Sequence, residues 1–105
     1  MKKLLAIIIL TQFASQAFAG RTDCPIAKVT NIQIEGVKVM YVQEGAPWRT
    51  LGYLNNNDGT KERYSALLSA QVSGRKVIVG YPIANYNCSV TNYGTSAYIL
   101  RTHPN

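Results

Sequence analysis

Aromatic rings and polar side chains cluster in two parts of this 105-residue chain, and they suit ligand binding better than catalysis. The first group is Trp48, Arg49 and Tyr53, and the second is Asn85, Tyr86, Asn87 and Tyr93. Sugar C–H faces stack on flat rings, while sugar hydroxyls bond to amide and guanidinium groups. The pattern therefore predicts a glycan-binding surface. The same residues also have a simpler explanation, since Asn favours turns and Tyr or Trp can fill a small core.

Catalytic and metal-binding sets are missing from the sequence. The chain has 1 His and 2 Cys, so neither a Ser-His-Asp triad nor a zinc site of Cys and His is expected. Two of the carboxylates, Glu35 and Glu44, flank one predicted strand at opposite ends, too far apart for paired acid–base chemistry. We therefore predict that the protein is not an enzyme and uses no cofactor or metal.

The first nineteen residues have the pattern of a secretory signal peptide. Lys2 and Lys3 precede an apolar run over residues 4–10, and Ala17-Phe18-Ala19 supplies small residues for a cleavage site. Polar residues interrupt the apolar stretch well before the ~20 residues of a membrane span. We predict an exported protein, periplasmic or secreted, without a membrane span after cleavage, and one domain over residues 20–105. Loss of the two lysines lowers the formal net charge from +6 to +4.

Cys24 and Cys88 are the two cysteines of the chain. In an exported protein we expect them to form an intramolecular disulfide bond. Two free thiols or an intermolecular bridge are the alternatives.

Hydrophobic spacing predicts five strands, over residues 27–35, 37–42, 48–54, 76–81 and 96–102. The apolar phase shifts between Val29 and Ile32, which indicates a bulge or a strand buried on both faces. Between the third and fourth strands a helix of three to four turns is expected. Its buried face would carry Tyr64, Leu67, Leu68 and Gln71, at i, i+3, i+4 and i+7. Asp58 or Thr60 is the expected N-cap, and Gly74 is expected to end the helix.

This order of elements is that of an OB-type barrel. We therefore predict a mainly β protein, a five-stranded OB-like barrel with one α-helix between strands 3 and 4 that plugs one end. In that fold the first strand lies antiparallel to the fourth, which would bring Cys24 and Cys88 together. A small α+β sheet with one packed helix is the structural alternative.

The C-terminal half resembles a known family. The stretch YSALLSAQVSGRKVIVGY (Tyr64 to Tyr81), followed by Cys88 and the strand Ala97 to Leu100, resembles the second half of AB5 toxin B subunits, nearest to the subtilase-cytotoxin and pertussis-like group. It is similar as well to small exported bacterial proteins of the same plan. The toxin resemblance implies a homopentameric, glycan-binding subunit that delivers a separate catalytic chain. It assigns no sugar-binding residue to a numbered position here.

Two other functions are compatible with the sequence. A periplasmic interaction protein, such as an inhibitor of an envelope enzyme, would have another exported protein as its partner. Binding of single-stranded nucleic acid by an OB face is the least favoured, because the basic residues are spread along the chain of an exported protein.

Overall fold

Residues 20–104 are described by the computed structural model of the chain, so the predicted signal peptide lies outside the described residues. The elements in chain order are β1 (Thr22–Asp23), β2 (Ala27–Glu35), β3 (Lys38–Gln43), β4 (Arg49–Tyr53), α1 (Thr60–Ser73), β5 (Lys76–Tyr81) and β6 (Ile99–Thr102). The predicted order of three strands, one helix and two strands is confirmed. A short strand, β1, is added at the start, and β6 begins later than predicted.

The six strands within residues 20–104 belong to one antiparallel sheet. The path β4-β3-β2-β5 forms its main part, and both β1 and β6 pair with β5. Strand β1 pairs with the end of β5 through Thr22 and Tyr81, while β2 pairs with its start through Ala27 and Val77. Strand β4 lies at the edge of this sheet, and its only partner strand within residues 20–104 is β3. The strand pairings therefore form an open sheet. The mainly β class is therefore confirmed.

Strand β2 contains the bulge that the apolar phase shift indicated. Val29 lies opposite Gln43 and Asn31 lies opposite Val42, so the register shifts between Val29 and Asn31. Thr30, between them, is the extra residue of the bulge. Because of it, Val29 is buried and Ile32 also packs against the core. An apolar spacing that breaks period two is thus accommodated on one face of the sheet.

Both ends of α1 depend on glycine. The N-cap is Gly59, with a left-handed φ of 90°, rather than Asp58 or Thr60 as predicted. Asp58 still completes the first turn, because its Oδ1 accepts hydrogen bonds from Thr60 N at 3.1 Å and Thr60 Oγ1 at 2.7 Å. The hydroxyl bond holds the pKa of Asp58 below its usual value. At the other end Gly74, with φ of 73°, donates its N–H to the last helical carbonyls, as predicted.

The helix packs against β2, β4, β5 and β6. Its fully buried residues are Thr60, Leu67 and Ala70. Leu68 is 40% exposed, so its predicted burial is wrong. Successive helical residues are about 100° apart, so burial of Leu67 turns Leu68 toward solvent. Tyr64 and Ala70, three residues before and after Leu67, lie on the buried side instead.

The predicted disulfide bond is confirmed. Cys24 and Cys88 are bonded with Cα atoms 5.6 Å apart. Cys24 is buried, and its N–H donates to the carbonyl of Val79 in β5. The bond therefore ties the start of the domain to the long loop between β5 and β6.

No helix within residues 20–104 is both long enough and apolar enough to cross a membrane.

We expect the disulfide bond to carry a large share of the stability. It closes a loop with a sequence separation of 64, which the chain-entropy model values at roughly 4 kcal/mol. The double variant C24S/C88S should therefore unfold at a much lower urea concentration than the wild type in oxidising buffer. The wild type under reducing conditions is the matched control and should approach the variant. An unchanged unfolding midpoint would contradict this contribution.

Candidate functional site

Strands β3, β4 and β5 direct polar side chains into the interior. Tyr41, Arg49 and Tyr81 are each at most 1% exposed. The Tyr81 hydroxyl donates to the carbonyl of Thr50 at 2.9 Å and lies 2.6 Å from the Tyr41 hydroxyl. Arg49 Nη1 donates to Gln43 Oε1 at 2.9 Å and to the Tyr41 hydroxyl at 3.4 Å. Arg49, a candidate ligand-binding residue on the sequence, is therefore part of the interior.

The two tyrosine hydroxyls of this network are neutral at physiological pH. Burial raises the pKa of Tyr41 to about 12, although the positive charge of Arg49 opposes the rise. The pKa of Tyr81 is raised as well, first by burial and then by the neighbouring Tyr41. Neither ring supplies a phenolate that could balance the charge of Arg49.

The second predicted group divides between the core and the surface. Tyr86 is 5% exposed, and its ring stacks on that of Tyr81 with centroids 3.8 Å apart and planes 6° from parallel. Asn85 and Asn87 are exposed on either side of it. Asn87 Oδ1 accepts a hydrogen bond from Ser89 N at 2.9 Å, which is ordinary turn chemistry. Tyr86 therefore anchors this loop, and within residues 20–104 no hydrogen bond joins Asn85 or Asn87 to Trp48 or Tyr53.

Tyr53 and Tyr93 meet at a lysine that the sequence did not single out. Lys38 lies directly opposite Tyr53 in the β3–β4 pairing. Its Nζ is 5.9 Å from the centroid of the Tyr53 ring and 5.1 Å from that of Tyr93. Tyr93 is 43% exposed, and Tyr53 and Lys38 are half-buried. We call Lys38, Tyr53 and Tyr93 the aromatic surface.

The segment that carries Tyr93 is held against β4 by its backbone. Asn92 N donates to the carbonyl of Trp48 at 3.3 Å, and Thr50 N donates to the carbonyl of Asn92 at 3.2 Å. The Asn92 side-chain oxygen accepts hydrogen bonds from the N–H groups of Gly94 and Thr95, which fixes the turn after Tyr93. Trp48 is half-buried beside this segment. The fold thus brings Tyr53 and Tyr93 to the same lysine, and it places the Trp48 backbone beside Asn92.

A polar cleft of about 290 Å³ begins at the residue after Tyr53. Its lining is formed by Leu54, Asn55, Asn56, Asn57, Gly59, Lys61 and Glu62. Asparagine amides both donate and accept hydrogen bonds, as sugar hydroxyls do. The sequence analysis named none of these asparagines as a binding residue. Lys38 was missed for a different reason, since its place beside Tyr53 depends on strand register.

Within residues 20–104, no group of three or more His, Cys, Asp or Glu residues is placed to hold a metal ion.

Comparisons with protein-family models, with curated proteins and with solved structures find no match for this chain. The resemblance to AB5 toxin B subunits therefore stays a prediction from the sequence.

We expect the Tyr81 hydroxyl to stabilise the fold measurably. The variant Tyr81→Phe removes the hydroxyl donor to the Thr50 carbonyl and leaves the Tyr41 O–H without an acceptor, which should cost about 1–3 kcal/mol in the free energy of unfolding. Tyr98→Phe removes a hydroxyl from a ring that is 62% exposed and should change stability by less than about 0.5 kcal/mol. Urea denaturation measures both, and equal effects would contradict the role of the network.

Alkaline pH should destabilise the protein through Tyr41. Its pKa is about 12 in the folded protein, whereas a tyrosine in an unfolded chain ionises near pH 10. The unfolded chain therefore releases this proton first, so the stability from Tyr41 is complete below about pH 10 and is lost as the pH rises toward 12. Urea denaturation at increasing pH should show this fall, and the fall should be smaller in Tyr41→Phe. An identical pH dependence in that variant would be the contradicting result.

Proposed function

We propose that the protein is an exported recognition module that binds glycans through the aromatic surface. The observation that carries the proposal is the pair of rings, Tyr53 and Tyr93, gathered around Lys38 beside a cleft lined with asparagines. The rings offer faces for sugar C–H groups, and Lys38 offers a hydrogen-bond donor between them. Asn55, Asn56 and Asn57 supply amides at the next positions along the chain.

The overall architecture that we propose is an OB-like barrel. Three backbone hydrogen bonds between residues 48–51 and residues 92–97 support it, because the second segment leads directly into β6. One of them runs from Ala97 N to the carbonyl of Leu51 at 2.9 Å. The contact of α1 with four different strands also agrees with a helix at one end of such a barrel. In OB-folds the face of the second and third strands, here β3 and β4, is the usual ligand-binding face.

Export, and assembly into a toxin-like pentamer, are further parts of the proposal. The disulfide bond agrees with an oxidising compartment. The pentamer and a separate catalytic chain rest on the resemblance of the C-terminal half to AB5 toxin B subunits alone. A protein partner in the periplasm is the alternative that the same experiments address.

Glycan binding is tested by applying the protein without residues 1–19 to a glycan array and titrating the best sugar against variants. Loss of one ring should weaken binding by about fivefold, the equivalent of about 1 kcal/mol for an aromatic contact. We expect this loss for Tyr53→Ala and for Tyr93→Ala. Tyr98→Ala is the matched control, because Tyr98 is an exposed tyrosine outside the aromatic surface, and it should bind as the wild type does.

Two results would overturn the proposal. One is an array on which no sugar binds above background, and the other is binding that survives both ring substitutions. The mass in solution tests the assembly separately, because a monomer that binds sugar would retain the glycan function and remove the toxin-like pentamer.

A further inference from the structure

A second cleft, of about 190 Å³, lies where the start of β2, the β3–β4 loop and the disulfide bond meet. Its lining includes Gln43, Glu44, Ala46, Arg49 and Cys88. None of the residues of the aromatic surface is part of it. We call it the Arg49 cleft.

The charge of Arg49 has no counter-ion in the part of the chain that the structure describes. The ion pairs there join Arg21 to Asp23 and Arg63 to Asp58, so no carboxylate lies within 4.0 Å of the Arg49 guanidinium. The phenol nearest to it, Tyr41, is neutral at physiological pH. An unpaired charge that is 1% exposed is costly, and a bound anion would offset that cost.

The guanidinium is held rigidly but only on one side. Its two hydrogen bonds both leave from Nη1, toward Gln43 and Tyr41. Gln43 is itself fixed, because its Nε2 donates to the carbonyls of Val77 at 2.9 Å and Ala27 at 3.2 Å. Arg49 Nε is buried and has no hydrogen-bond partner among residues 20–104, and Nη2 makes no hydrogen bond there either. Nη2 is therefore the donor that a ligand in the cleft can reach first. The planar group is therefore oriented in advance and keeps donors for a further acceptor.

We propose that the Arg49 cleft binds the carboxylate group of a small organic acid, with the Arg49 guanidinium as its counter-ion. A guanidinium matches a carboxylate in charge and in planar geometry, and such pairs form two parallel hydrogen bonds. The volume of the cleft limits the ligand to roughly the size of one sugar or one amino acid. This site is independent of glycan binding at the aromatic surface.

Glu44 is the one acidic residue in the lining of this cleft. Its side chain is exposed and lies outside ion-pair distance of Arg49, so water screens its repulsion of an anion without removing it. Glu44→Gln should therefore bind a carboxylate more tightly than the wild type does. A purely structural role for Arg49 gives no such gain.

The experiment follows the side-chain Nε–H signal of Arg49 by NMR in a chloride buffer. Glucuronate and glucose are the probes, because they differ in the carboxylate and otherwise share the sugar ring. We expect a saturating shift of the Arg49 signal with glucuronate and none with glucose. Succinate separates the sources of the carboxylate: a shift with both acids indicates a site for small acids in general, and a shift with glucuronate alone indicates an acidic sugar.

Variants place the binding in the cleft. Arg49→Lys keeps the charge but loses the planar fork, and should weaken glucuronate binding by about tenfold or more. Because Arg49→Lys can also disturb the interior, a second variant is needed. Ala46→Leu narrows the cleft, because Ala46 is half-buried in its lining. Ala84→Leu, at an exposed position outside the cleft, is its control. The site is supported if glucuronate binding weakens in Ala46→Leu and stays unchanged in Ala84→Leu.

Three results would overturn the proposal. They are an Arg49 signal that does not respond to glucuronate, an equal response to glucose, or undiminished binding in Ala46→Leu. Tyr53→Ala keeps the two proposals apart, because it should leave the glucuronate response of Arg49 intact whether or not the aromatic surface binds glycans.

Discussion

The hydrogen-bond chain from Arg49 through Tyr41 and Tyr81 to the Thr50 carbonyl determines how the sheet is assembled. The Tyr81 proton goes to Thr50, so the Tyr41 proton goes to Tyr81, and Tyr41 in turn accepts from Arg49. Each group in this chain is buried and has a required partner on another strand. A slip of one residue between β3 and β4 would separate Arg49 from both Tyr41 and Gln43. The network therefore fixes the register of the sheet as well as adding to its stability.

The tyrosines supply what phenylalanine supplies in most small cores. Both Phe residues of the chain lie within residues 1–19, so Tyr41, Tyr81 and Tyr86 provide the large buried rings of the domain. The hydroxyls of Tyr41 and Tyr81 are hydrogen-bonded to each other, to Arg49 and to the Thr50 carbonyl, which makes the interior polar enough to hold an arginine. An all-apolar core of the same volume would have no such place, because a guanidinium without hydrogen-bond acceptors is far more costly to bury.

Local signals in the sequence were sufficient for the order of the helix and of five of the six described strands, and tertiary contacts decided the rest. The bulge of β2 and the end of α1 at Gly74 follow from local spacing and residue type. The Cys24–Cys88 bond could be predicted because the chain has two cysteines, which leaves one intramolecular pairing. The burial of Arg49 could not be predicted in this way, since it requires Gln43 and Tyr41 on another strand. Leu68 was misassigned because helical periodicity defines an apolar stripe but not which edge of the stripe meets the sheet.

One irregularity in β4 separates the interior site from the aromatic surface. Arg49 lies opposite Tyr41 and Gly52 lies opposite Val39, so Leu51 is an extra residue in the pairing. In a regular strand, Arg49 and Tyr53 would share a face, because they are four positions apart. Because of the bulge at Leu51, the inward position falls on Gly52, where a side chain would collide with Thr60 of α1. Tyr53 then faces outward, toward Lys38. Strand β4 thus presents Arg49 to the inside of the sheet and Tyr53 to the outside. Because the bulge keeps them on opposite faces, the two proposed sites can bind different ligands.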